Sequence, residues 1–230
     1  MKGNMRHLIV IVILGIGLGL MMPLNRAFAD TEAFKQLSAE WWQWTLSFPV
    51  SEIPQLDATG ERCVVGQRGS VWFLVGNFGG TTTRTCVVPE GKVLFFPVIN
   101  SVSIDTPNVC GQDSTRIPIK DLRAFSAAFI DGAANLLVEV DGRPIGTLHR
   151  VQSKVFEVAL PEDNVFDGPC ATAGGMPAGI YSPAVDDGFY VRLNALGVGN
   201  HTLHIHAENP SASFTLDVTY NLAVVPVLLK

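Results

Sequence analysis

The feature of this chain that most constrains its fold is a succession of short apolar segments, separated by Gly- and Pro-containing turns, that continues to residue 225. Over residues 214–220, apolar and polar positions alternate, which is typical of a strand with one buried and one solvated face. Residues 71–75 and 93–96 are apolar throughout, which predicts strands with both faces covered. Strands are predicted at residues 62–65, 71–75, 84–88, 92–100, 135–141, 145–150, 154–160, 189–193, 201–208 and 214–225.

Two segments carry the three- and four-residue spacing of apolar side chains that predicts a helix. The first covers residues 31–47 and contains Trp41, Trp42 and Trp44. On a helix, Trp42 lies off the face that Trp41 and Trp44 share, so it either completes the contact with the domain or offers a platform to a ligand. The second helix is predicted around residues 119–130. Both helices are expected to pack on the outside of a sheet.

Short strands without helices between them predict an antiparallel β-sandwich, immunoglobulin-like or jelly-roll in architecture. The fold class is therefore mainly β, with an N-terminal amphipathic helix and one further helix packed on the sandwich. The predicted organisation is a signal peptide at residues 1–29, an aromatic helix at residues 30–50 and a sandwich domain at residues 51–230. Residues 161–188 are rich in Gly, Pro and Asp and are predicted to form a long surface loop.

The first 29 residues have the parts of an export signal. Lys2 and Arg6 precede an apolar run over residues 8–22, and small residues at Ala27 and Ala29 favour cleavage after Ala29. The run is shorter than the roughly 20 residues that a membrane-spanning helix needs. We expect a secreted or periplasmic protein without a transmembrane segment after cleavage.

The four cysteines all follow this segment, and no two of them form a Cys-x-x-Cys pair. An oxidising compartment favours two disulfides over a metal site or a free thiol. Three pairings are open. The favoured one joins Cys63 with Cys86, which bracket an apparent hairpin, and Cys110 with Cys170, which lie in two irregular segments.

The composition favours a binding or structural role outside the cytoplasm. The formal net charge is −5, which argues against nucleic acid because a phosphate backbone needs a basic surface. The sequence contains no nucleophile elbow, zincin helix or phosphate-binding loop. We expect a non-catalytic module that binds a glycan or a protein, with Trp42 and Tyr190 as exposed aromatic candidates and the oligomeric state left open.

Three side chains in the segment 204–208 suggest an alternative function. On a strand, His204, His206 and Glu208 share one face and could form half of a zinc or copper site. His149 or His201 would supply a further ligand if the fold brings it near. The alternative is therefore a metal-dependent enzyme or a metal-binding protein.

The acidic residues of the predicted loop suggest calcium as another cofactor. They are Glu162, Asp163, Asp167, Asp186 and Asp187. Calcium prefers such oxygen ligands, but the spacing does not match an EF-hand, and solvated surface charge explains the same composition.

Several stretches of the chain resemble a group of uncharacterised exported bacterial proteins. The stretches are WQW at 42–44, DATGERC at 57–63, VWFL at 71–74, FFPV at 95–98, GNHTL at 199–203 and DVTY at 217–220. The resemblance covers most of the chain after the predicted signal. It implies export and bacterial origin, and it assigns no catalytic residue to this sequence.

Overall fold

The computed structural model of this chain describes residues 22–227, and the side chains of residues 30–227. Residues 1–21, most of the predicted signal peptide, lie outside the described residues. Helix α1 (Met22–Leu46) begins before the segment 31–47 that the periodicity predicted. In this described part, no helix is both long enough and apolar enough to cross a membrane.

Ten strands of the described chain form two five-stranded sheets. The first sheet contains β1 (Val71–Phe73), β3 (Val93–Ile104), β6 (His149–Gln152), β7 (Phe156–Leu160) and β8 (Gly179–Leu193). The second contains β2 (Gly80–Pro89), β4 (Ala134–Val140), β5 (Arg143–Pro144), β9 (Gly199–Asn209) and β10 (Phe214–Val225). The strand orders are β1-β3-β8-β6, with β7 also paired to β8, and β2-β10-β9-β4-β5. Helix α1 and helix α2 (Ile119–Ile130) both pack on the first sheet.

Each sheet contains one parallel pair, so the sheets are mixed instead of antiparallel throughout as the sequence predicted. β1 runs parallel to β3, and β2 runs parallel to β10 over its whole length. The pairs that join the remaining strands are antiparallel. Alternation of side chains reports the face that a residue occupies, whereas strand direction depends on which distant segment lies alongside.

The buried side chains form two clusters on opposite faces of the first sheet. Phe96 of β3 packs in a cluster with Val218 of the second sheet, whereas Phe95 packs with Phe34 of α1. The prediction that both faces of the apolar run 93–96 are covered is therefore confirmed. In β10, buried positions alternate with more exposed ones, as predicted.

The predicted strand at residues 62–65 is wrong, because the segment Glu61–Val64 is a 3-10 helix. The Asp57 carboxylate accepts the backbone N–H groups of Thr59 and Arg62, which closes the chain into a tight turn.

The predicted loop at residues 161–188 is also wrong at its end, because β8 already begins at Gly179. Asp186 and Asp187 are therefore strand residues, and their carboxyl groups are buried against polar partners from other elements. The strand predicted at residues 145–150 is wrong over residues 145–148, because β5 ends at Pro144 and β6 begins only at His149. Pairing with strands that are distant in sequence decides where β6 and β8 begin, and local side-chain spacing does not indicate such pairing.

Two disulfides, Cys63–Cys86 and Cys110–Cys170, join the four cysteines in the favoured pairing. The first connects the 3-10 helix to β2, and the second connects the segment after β3 to the loop before β8. The irregular segments are thereby tied to the sheets.

Candidate functional site

A cleft bounded by α1, β3 and the segments 50–56, 76–78 and 163–169 is made of two adjoining cavities. The small cavity measures about 270 Å³ and the large cavity about 720 Å³. Trp42, Gln55 and Phe78 line both of them, so the two cavities meet at these side chains. The apolar walls of the large cavity are Leu46, Val50, Leu56, Val102, Val165 and Phe166. A volume of roughly 300–1,000 Å³ with apolar walls is typical of small-molecule sites.

Trp42 is buried, so of the two roles that the sequence left open it takes the first, in which the indole completes the contact between α1 and the domain. Only 8% of the residue is exposed, and its Nε1 donates to Oδ1 of Asp186 at 2.7 Å. The neighbouring Trp41 donates to the Leu74 carbonyl at 2.8 Å, and the two indole rings meet edge to face. Both indole N–H groups are therefore anchored, and the ring of Trp42 forms a fixed wall of the cleft.

A buried polar group, formed by Asp186, Tyr190 and Asn100, supports Trp42. Tyr190 is 0% exposed, so the prediction that it is an exposed aromatic residue is wrong. Its hydroxyl donates to Asp186 Oδ1 at 2.8 Å and accepts from Asn100 Nδ2 at 3.0 Å. Burial raises the pKa of Asp186 to about 8, against the hydrogen bonds from Trp42 and Tyr190, which lower it. The carboxyl group is therefore mostly protonated at neutral pH.

Gln55 is the polar side chain that both cavities share, and sequence reasoning missed it. It lies in a short 3-10 helix, Pro54–Leu56, and its Oε1 accepts a hydrogen bond from the Thr45 hydroxyl of α1. The segment around it has no periodic apolar pattern, so no sequence signal marks Gln55 as a site residue.

Arg84 positions the cleft from the side of the second sheet. Its guanidinium donates to the backbone carbonyls of Gln55 and Gly76, at 3.1 and 3.0 Å, and both residues line the small cavity. It also donates to the Tyr220 hydroxyl at 2.8 Å. Within the described chain, its partners are carbonyl and hydroxyl oxygens and no carboxylate. Arg84 is thus a buried cation that holds two cleft segments through their backbones.

The charged residues of the cleft are acidic. Asp163 and Asp167 line the large cavity, and none of the described residues that line either cavity is Lys, Arg or His. Asp167 is engaged by the backbone N–H groups of Asn164 and Met176. The exposed side chain of Phe78 lies at the rim, with 56% of its surface accessible.

The predicted metal residues lie on the open face of the second sheet. His204, His206 and Glu208 share that face of β9, and the alternate residues of the strand are buried, as the predicted alternation requires. His204 Nε2 lies 3.3 Å from the Asp217 carboxylate, and His206 Nδ1 lies 3.1 Å from it. Asp217 of β10 was missed, because its contact with β9 depends on the strand pairing.

The other ring nitrogens of these histidines also face carboxylates. His204 Nδ1 is 3.4 Å from Glu139, and His206 Nε2 is 3.2 Å from Glu208. Glu208 also accepts from the Asn135 amide, which together with His206 lowers the pKa of its carboxyl group. Imidazoles and carboxylates therefore alternate in a chain across β4, β9 and β10.

Neither of the further predicted ligands joins this chain. His201 lies between the Asp141 carboxylate and the Gly197 carbonyl. His149 lies in β6 of the first sheet, where its ring packs against the Phe34 ring of α1. Across residues 30–227, no group of three or more His, Cys, Asp and Glu side chains has an arrangement that could already hold a metal ion.

The acidic residues proposed as calcium ligands are engaged separately. Asp186 accepts from Trp42 and Tyr190, whereas Asp187 accepts from Arg150 and Gln152. The structure therefore assigns different partners to residues that the sequence placed in one loop.

Over residues 22–227, fold and cleft together define a mainly β structure with two mixed sheets, two α-helices, two disulfides and an apolar cleft. Comparison with protein-family models, curated proteins and solved structures finds no match for this chain. The resemblance to exported bacterial proteins stays a prediction.

Proposed function

We propose that this protein is an exported, non-catalytic binding module whose ligand is a small apolar molecule held in the cleft. The observation that carries the proposal is the large cavity of about 720 Å³, which has apolar walls and adjoins the small cavity at Trp42, Gln55 and Phe78. Apolar walls favour such a ligand over the glycan that the composition suggested, because buried sugar hydroxyl groups need polar partners.

Export is supported by the two disulfides, which persist in oxidising compartments. The predicted signal peptide and the resemblance to exported bacterial proteins agree with this location. For the architecture we infer a β-sandwich, because one buried cluster takes side chains from both sheets.

The test measures binding of N-phenyl-1-naphthylamine, a neutral dye whose fluorescence rises in apolar surroundings. Val102 of β3 lines the large cavity, so Val102→Trp fills it and should weaken dye binding at least about ten-fold. Val87→Trp, at an exposed strand valine outside the cavities, is the matched control and should bind like the parent protein. Absence of dye binding, or equal binding by the two variants, contradicts the proposal.

Divalent metal binding on the open face of the second sheet is a second candidate function. The observation that favours it is the Asp217 carboxylate, at 3.3 Å from His204 Nε2 and 3.1 Å from His206 Nδ1. Both distances lie near the hydrogen-bonding range, and they place the three side chains within reach of one another. Glu139 and Glu208, on the opposite ring nitrogens, would orient the imidazoles from outside the ligand set. Binding requires the two rings to turn towards a common point.

Elemental mass spectrometry of the mature protein, purified without chelator, tests this second candidate. Near-stoichiometric zinc or copper is expected, and it should be lost in the His204→Ala, His206→Ala double variant. Thr219→Ser, which alters β10 opposite His204, should keep the metal. Bound calcium would indicate a site at the acidic residues instead of at the histidines. Protein free of metal would overturn the candidate.

A further inference from the structure

Gln55 is held by one hydrogen bond to its side chain and one to its backbone. Its Oε1 accepts from the hydroxyl of Thr45, a fully buried residue of α1. Its backbone carbonyl accepts from Arg84 at 3.1 Å. Because the oxygen end is held by α1, the Nε2 amide is the end of the side chain that remains for the cleft.

The Nε2 amide of Gln55 has no partner in the described part of the chain, yet it is reachable. Gln55 is only 7% exposed. The side-chain atoms there that are buried without a partner are Trp72 Nε1, Asp105 Oδ2, Arg123 Nη1 and Asp186 Oδ2. Gln55 Nε2 is not one of them, and Gln55 is a lining residue of both cavities. An acceptor atom on a bound ligand would satisfy it.

The charge of the cleft selects among ligands that carry such an acceptor. Asp163 and Asp167 line the large cavity, and no basic side chain faces them across the described lining. A carboxylate ligand would meet two negative charges with no basic side chain in the lining to offset them. Arg84 lies behind the backbones of Gln55 and Gly76, and its N–H groups donate to carbonyl and hydroxyl oxygens. A neutral carbonyl accepts the same hydrogen bond without that repulsion.

We propose that the cleft binds a neutral amphiphile, an apolar chain or ring that carries an amide, ester or ketone, whose carbonyl oxygen accepts a hydrogen bond from Gln55 Nε2. This inference rests on the proposed function of the cleft and names the class of ligand. Trp42 and the aliphatic walls contact the apolar body, and Gln55 sets the position of its carbonyl group.

Competition against N-phenyl-1-naphthylamine tests the ligand class with two probes of equal chain length, decanamide and decanoate. Decanamide should displace the dye at a concentration at least about ten-fold lower than decanoate at pH 8. If the dye binds in the cleft and the two probes compete equally, or decanoate competes better, the ligand class is overturned while the binding function stands. If the dye does not bind in the cleft, the binding function itself fails.

Two variants connect the preference to named residues. Gln55→Met keeps the length of the side chain and removes the donor, so the affinity for decanamide relative to the affinity for the dye, both measured in this variant, should fall about five-fold to ten-fold. Asp163→Lys leaves Gln55 intact and should improve decanoate competition at least about three-fold. Asp163 is exposed, so this variant is informative even if Gln55→Met fails to fold. Unchanged probe affinities in Asp163→Lys, or in a folded Gln55→Met, would overturn the assignment.

Discussion

Two carboxyl groups of this protein, Asp186 behind the cleft and Glu208 on the open face of the second sheet, both accept hydrogen bonds yet have opposite shifts in pKa. Desolvation raises the pKa of Asp186 to about 8 despite its bonds to Trp42 and Tyr190. The Asn135 amide and His206 lower the pKa of Glu208, where burial contributes little. Access to water therefore decides the charge state more than the number of partners does. The difference in access to water also distinguishes the apolar cleft, which has a protonated acid behind it, from the solvated face, which carries charged groups.

The largest effect is expected from Trp42→Ala. The indole forms a wall of both cavities and satisfies Asp186, so its loss should reduce the free energy of unfolding by about 3–5 kcal/mol. Urea unfolding measures the change. Phe78→Ala, at the exposed rim of the same cleft, should cost less than about 1 kcal/mol. Equal losses in the two variants would mean that the interior and the rim of the cleft are not distinct.

The buried acid itself is tested by Asp186→Asn. The folded pKa, about 8, lies above the ordinary value of 3.8, so the folded state retains a proton that the unfolded chain releases. The contribution of this group to stability is therefore fully present below about pH 4 and declines as pH rises to about 8. Its limiting slope is about 1.4 kcal/mol per pH unit. Asparagine does not titrate and keeps an oxygen acceptor for Trp42 and Tyr190.

Urea unfolding of the parent protein and of Asp186→Asn at several values between pH 5 and pH 8 shows the difference. The stability of the variant should rise relative to the parent as pH increases through this range. Parallel pH profiles would indicate that Asp186 is already ionised in the folded state.

A smaller pH-dependent contribution to stability is expected from Asp141 and His201, where a hydrogen bond and not desolvation causes the pKa shifts. Their hydrogen bond raises the pKa of His201 and lowers the pKa of Asp141. The histidine contribution to stability is full below its unfolded pKa of about 6.5 and is lost as pH rises through the higher folded pKa. The aspartate contribution is present above its unfolded pKa and is lost as pH falls through the lower folded value.

Asp141→Asn should therefore lower the pKa of His201, which an NMR titration of its ring proton measures. His204 serves as the internal control, because the structure places it beside Glu139 and Asp217 and not beside Asp141. A His201 titration that is the same in the parent and the variant would contradict the pairing.

The smallest change in stability is expected on the open face. His204→Ala combined with His206→Ala should lower the metal-free unfolding free energy by about 1 kcal/mol or less, because partly exposed ion pairs contribute little. Urea unfolding in the presence of chelator provides the measurement. A loss as large as that of Trp42→Ala would show that this face supports the fold as strongly as the cleft does.

Side-chain periodicity and cysteine spacing predict part of the fold. The alternation over residues 214–220 predicts the buried face of β10, and the apolar spacing predicts α2 at Ile119–Ile130. Both features depend on neighbours within one element, and local spacing reports such neighbours directly. The pairing of Cys63 with Cys86 was favoured for a hairpin that does not form, because Cys63 lies in a 3-10 helix and β2 pairs with β10.

The candidate site was less accessible to sequence reasoning. The sequence placed Trp42 and Tyr190 among exposed aromatics, but both are buried on a shared carboxyl group that arrives from β8. Gln55 carries no local signal, and its partners Thr45 and Arg84 lie on other elements. Asp217 belongs to the histidine face only because β10 pairs with β9 in a particular register.

The sequence by itself determined the mainly β character, the second helix and the two-histidine face of β9, and it favoured one of three disulfide pairings. Tertiary structure alone decided the parallel pairs of strands, the cleft around Trp42 and Gln55, and the environment that raises the pKa of Asp186. The physical reason is the distance along the chain over which each effect acts. Periodicity acts over a few residues, whereas strand direction, cavity shape and desolvation depend on segments that meet only when the chain is folded.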